Sequence, residues 1–146
     1  MCYTQNRFNA LLSACVLSLI TTAGWSQSLT WLGRLPGGTG SGAAGVSADG
    51  SVVVGGADNG AGQRRAYRWT ASGGMRILGT LPGGTSSAAL GVSADGAVVV
   101  GGATNAAGQR RAFRWTASGG MQDLGTLGGD HSEAYGVSAE IGRAHV

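Results

Sequence analysis

An all-β chain of short antiparallel strands is what this sequence predicts, and three observations predict it. Glycine supplies 29 of the 146 residues while only 12% are charged, a balance that fits neither a disordered nor a helical chain. Past residue 26 the sequence repeats itself with a period of 46 residues. Within each repeat, β-branched or alternating runs are separated by glycine-bearing reversals.

The elements follow in chain order. Residues 1–9 are polar with one cation, Arg7; residues 10–20 form an eleven-residue apolar run; residues 21–26 are small and polar apart from Trp25. This is the layout of a secretory signal peptide, expected as an apolar helix outside the fold, with cleavage after Ala23 or Ser26. The run is too short for a permanent membrane anchor. Leu12-Ser13-Ala14-Cys15 has the form of a lipoprotein box, but such a box should close the apolar run, which here continues through residue 20. Cys2 and Cys15 both lie in this leader, so a chain cut after Ser26 has no disulfide and no thiolate metal site. All ten basic residues are Arg, as a GC-rich coding sequence would produce.

The repeat domain is expected over 27–139. LGRLPGG at 32–38 returns as LGTLPGG at 78–84 and, less the proline, as LGTLGG at 124–129. RRAYRWT at 64–70 returns as RRAFRWT at 110–116. Two full repeats and the start of a third are therefore present. Each parses into four strands. In the first copy, 44–47 and 51–55 flank Asp49-Gly50, the signal of a two-residue type I′ hairpin, and Asp95-Gly96 reproduces it. The other two strands, 65–70 and 75–81, flank a turn at 71–74. Alternation in the third strand sends Tyr67 and Trp69 to one face, as it does Phe113 and Trp115 in the second copy. That aromatic face needs a cover, and the next copy of the same sheet is the expected one.

A unit of about 40 to 50 residues with four strands and a Trp is the pattern of a β-propeller blade; an open β-solenoid is the alternative. The expected architecture is a partial β-propeller: two four-stranded antiparallel blades packed face to face, with parts of flanking blades. GVSADG-x-VVVG, RA(Y/F)RWT-x-SGG-M and LGTLPGG together resemble the HAF repeat, a family of probable extracellular bacterial repeats. The resemblance covers 28–139 and departs where the His of the family name is Arg65 and Arg111 here. It implies place and fold, since the family brings no defined activity.

The third GVSADG copy breaks at Glu140. Residues 140–146 resemble the in-frame translation of a common sequencing-library adapter, so adapter read-through is expected there, with the natural gene continuing. Two blades would leave apolar faces open, through which self-association is expected, and closure takes about four blades or more. Residues 29–35 match the fourth strand of a repeat and lack the first three, as the stitched seam of a closed ring would.

Chemistry is mostly excluded. Gly40-Ser41-Gly42-Ala43-Ala44-Gly45 fits the dinucleotide fingerprint in form, but a strand should follow it. Gly45-Val46-Ser47-Ala48-Asp49 misses the nucleophile elbow at its last position. Without Lys there is no phosphate loop, and His131 alone outside the tail is too little for a His-based metal site. Asp58-Asn59-Gly60 could open a calcium loop, yet its second copy is Thr104-Asn105-Ala106. Asp130-His131-Ser132-Glu133 could hold an acid and a base, but it occupies a loop that varies between repeats. No catalytic residue, cofactor or metal is expected.

Arg64, Arg65, Arg110 and Arg111 are the candidate ligand-binding residues, with Arg68 and Arg114 beside them; recurring on neighbouring blades they could hold an acidic glycan. The competing reading pairs these arginines with Asp49, Asp95 or backbone carbonyls between blades. Asp49, Gly50, Asp95, Gly96, Tyr67, Trp69, Phe113 and Trp115 are expected to be structural. Over 27–139, eight Arg against five Asp and one Glu leave a net charge of +2, too small for nucleic acid or an anionic membrane. The expected function is a secreted or cell-surface binding and structural module for an extracellular glycan or protein, without stable membrane insertion. The alternatives are part of a polysaccharide hydrolase with its acid and base in other blades, and the passenger repeats of a surface-anchored protein.

Overall fold

Alternating strands and glycine turns fold each repeat in the same way. A computed structural model describes residues 29–138; the expected leader at 1–26 and read-through at 140–146 lie outside the described residues. The chain divides into two units, Met1–Trp31 and Leu32–Val146. In the first, Leu29, Thr30 and Trp31 are described and carry no regular structure. In the second, β1 (Ser41–Val46), β2 (Val52–Asp58), β3 (Arg64–Thr70) and β4 (Gly74–Gly79) form one antiparallel sheet in that order. β5 (Ser87–Val92), β6 (Val99–Thr104), β7 (Arg110–Thr116) and β8 (Gly120–Asp123) form another of the same order. The all-β expectation holds: among the described residues there is no helix.

The two sheets share their register. Trp69 lies opposite Val53 and Tyr67 opposite Gly55, just as Trp115 lies opposite Val99 and Phe113 opposite Gly101. Bulges fall at Ala43/Gly45 and at Ala89/Gly91.

The first turn differs from the expected two-residue hairpin. Gly50 N–H donates to Ser47 O at 3.0 Å and Ser47 N–H to Val52 O at 2.9 Å, so Ala48 and Asp49 are central and the loop is four residues long. The Asp49 carboxylate is the reason, for it accepts from Ser51 N–H at 3.0 Å and from the hydroxyls of Ser47 and Ser51, each at 2.7 Å. Gly50 follows the turn with φ of 75°, where glycine is strongly favoured. Ser93, Asp95 and Gly96 repeat the arrangement. Residues 29–35, expected as a fourth strand, form no strand; a β4 exists only by pairing with a β3, and no described strand precedes them. The strand expected at 75–81 ends at Gly79, whose φ of 95° turns the chain out of the ladder.

Packing joins the sheets head to tail. Val52, Val54, Ala66 and Leu78 of the first sheet share a core with Val99, Ala103 and Phe113 of the second, Trp115 and Met121 packing against it. The aromatic face of the second sheet is thus covered by the opposite, aliphatic face of the sheet before it, whereas the following copy was the expected cover. The reason is volume: Phe113 is fully buried against Ala66 and valines, and burying such a ring contributes about 1.5–3 kcal/mol. Tyr67, the equivalent of Phe113, sits with Leu35 and Ala57 in a separate cluster flanked by Trp69 and Met75.

Candidate functional site

The contacts between the sheets begin with a backbone defect. β3 and β4 slip register between Ala66 and Tyr67, and the Ala66 N–H is taken by the Ser87 hydroxyl at 2.9 Å. Ser87 in turn donates to Gly79 O at 2.6 Å. One buried hydroxyl thereby satisfies a donor and an acceptor that would otherwise be orphaned. Ser132 does the same for Ala112 N–H at 2.9 Å and Gly125 O at 2.8 Å, and Ser41 bonds Gly33 O at 2.9 Å. At the loop between β1 and β2, Ala48 N–H donates to Ala94 O, its own repeat equivalent, at 3.1 Å.

The candidate arginines divide into two pairs. Arg65 bonds the Thr85 carbonyl and, through its other terminal nitrogen, Gln63 Oε1 at 2.8 Å. Arg111 bonds Thr126 Oγ1 at 3.0 Å and Gln109 Oε1 at 2.9 Å. Both clamp a turn that Asn59 or Asn105 builds by accepting two backbone N–H groups. Arg64 lies across the strands from Asp58 and meets its carboxylate at 3.6 Å, its guanidinium where a side chain on Gly56 would be. In the second sheet that partner position is Thr104, and Arg110 pairs with Glu133 instead. Of the reading that pairs these arginines within the fold, the backbone carbonyl is found; Asp49 and Asp95 bond serines instead.

The polar loop at 130–133 is tied down as well. Asp130 accepts from Gln109 Nε2 at 3.0 Å, and Glu133 is held by Arg110 and by the Tyr135 hydroxyl. Among the described residues no three His, Cys, Asp or Glu side chains gather as a metal site. Hydrogen bonds also set the turn carboxylates: the Ser51 N–H, then the Ser47 and Ser51 hydroxyls, lower Asp49 to about 2. The Ser93 hydroxyl and Ala97 N–H pull Asp95 in the same direction. Burial pushes the Tyr67 phenol up against the opposing pull of Arg64.

What the sheets leave open is a groove between them. Small residues, Ala88, Ala89 and Gly91, let β5 approach β1, β2 and β3, whereas the side chains of Phe113 and Trp115 hold β7 away. Toward the β3–β4 turn the gap widens into two adjoining clefts of about 500 and 470 Å³ that share Arg68, Trp115 and Ala117. No family model, curated protein or solved structure matches the chain, so the roles of these residues rest on its own geometry and internal repeat. Arg68 Nε donates to Gly96 O at 3.1 Å. Arg76 lies directly opposite Arg68 in the ladder and lines the second cleft with it. Sequence reasoning missed Arg76. The signal was there, because Thr70 and Gly74 close the turn and counting outward from them puts residue 68 opposite residue 76.

Proposed function

We propose that the chain is an exported, propeller-like repeat scaffold of the HAF type, serving as a binding and structural module for an extracellular glycan or protein rather than as an enzyme. One observation carries this reading: the Ser87 hydroxyl that ties β5 to the sheet before it recurs at Ser132, which ties the segment after β8 to the second sheet at the equivalent Ala112 N–H and Gly125 O, so the fold is built to add copies of itself in register. The close approach at β5 and the widening gap near Trp115 favour blades radiating from an inner edge over the even spacing of a solenoid. The apolar run at 10–20 supports export, and the motif triplet supports the family. Leu78 and Leu81 are buried between sheets, while their equivalents Leu124 and Leu127 are half and fully exposed. A further copy of the repeat fits that face, and another molecule of this chain is its proposed occupant.

Incubation with insoluble acidic and neutral bacterial polysaccharides tests the function. Cosedimentation without release of soluble sugar is expected. Release of reducing ends would replace the scaffold by a hydrolase, and failure to bind any polysaccharide or cell surface would sink the glycan-binding reading.

A further inference from the structure

Two arginines placed opposite each other across antiparallel strands are a cost without a ligand. Arg68 and Arg76 are such a pair, with Cβ atoms about 4.5–5.5 Å apart, a spacing at which like charges repel. No carboxylate of the described residues lies within ion-pairing distance of either. Arg68 is fixed through its Nε bond to Gly96 O, and its terminal nitrogens have no hydrogen-bond partner among the described residues. Arg76 has no such partner either, and it is exposed. The two side chains line a cleft of about 470 Å³ together with Trp115 from the other sheet and with Thr70 and Ser72.

We propose that this cleft binds the carboxylate of an acidic sugar, a hexuronate unit within a polysaccharide. The inference deepens the scaffold reading and rests on it for the extracellular setting. Two guanidinium groups supply planar donor forks that match a carboxylate, and the anion removes the repulsion between them. The Trp115 ring offers an apolar surface to the sugar ring, and the Ser72 hydroxyl, with the proton that Thr70 can still donate while accepting from Gly73 N–H, meets its hydroxyl groups. In the second sheet Arg114 faces Gln122, so the doubled charge belongs to the gap between the two sheets and is not a feature of every copy.

Titration calorimetry of the full chain with tetragalacturonate, cellotetraose and inorganic sulfate tests this. Saturable binding of tetragalacturonate is expected, with cellotetraose and sulfate far weaker. Arg76→Gln should weaken it by about tenfold or more, Trp115→Phe should weaken it less, and Arg114→Gln should leave it unchanged. Without ligand, Arg76→Gln should melt no lower than the parent, since it removes a repulsion, and it should lose the stabilisation that the uronate gives the parent. Equal binding of the neutral tetramer, equal binding of sulfate, or parental affinity in Arg76→Gln each overturns the proposal. If the chain still sediments with polysaccharide in any of those cases, the scaffold reading stands and the cleft assignment alone falls.

Discussion

Two glycines, Gly101 buried in β6 and Gly50 exposed in a turn, illustrate how differently the same residue can be required. At Gly101 a Cβ would fall on the Ala88 carbonyl oxygen of the adjacent strand, while at Gly50 it would meet nothing within 4 Å and the need comes from a φ of 75°. Gly101→Ala should therefore destabilise the fold by about 2–4 kcal/mol, and Gly50→Ala by about 1–2 kcal/mol, a difference that urea unfolding midpoints would resolve. Asp49 gives a pH test. Its folded pKa is held at about 2, below the ordinary 3.8, so its contribution is complete above about pH 4 and fades as pH falls toward 2. The stability gap between the parent and Asp49→Asn should narrow over that window, measured by thermal melts at stepped pH. A gap that stays constant would mean the carboxylate charge is not what holds the turn.

The strands were legible in the sequence because glycine turns punctuate them and the 46-residue repeat states each one twice. The turns were less so. Asp49-Gly50 signals a reversal, but which residues lie at its centre is decided by the bonds the carboxylate accepts from the Ser47 hydroxyl and the Ser51 N–H, which the Ser93 hydroxyl and the Ala97 N–H repeat at Asp95. A backbone-carbonyl partner was legible as an alternative and is found for Arg65 at Thr85, while the Gln63 and Gln109 partners were signalled only by their i, i+2 spacing, which puts amide and guanidinium on one face of an extended strand. The Ser87 stitch was hidden because Ser87 lies 21 positions from the Ala66 N–H it satisfies. Ser87→Ala should strand that buried N–H and the Gly79 carbonyl and cost about 1–3 kcal/mol. Ser132→Ala, at a half-buried copy of the same site, should cost less, because water can replace the hydroxyl there. Equal losses in denaturant titrations would show that burial is not what makes the stitch matter.

Across the whole molecule, the aliphatic face of one sheet covers the aromatic face of the next, and Leu124 and Leu127 lie exposed where Leu78 and Leu81 are buried. Sedimentation velocity should therefore show mass rising with concentration, and Leu124→Arg with Leu127→Arg should return the chain to a monomer. A monomeric parent at every concentration would remove self-association through this face. The two faces of a sheet are chemically different, so an association that copies the internal packing joins unlike surfaces. Such a contact is heterologous: it lacks a twofold axis and gives no reason to stop at a dimer. Each added molecule presents again the face it has just covered on its neighbour, so the assembly has a direction, and only a rotation that brings the last copy back to the first would turn a growing chain into a ring.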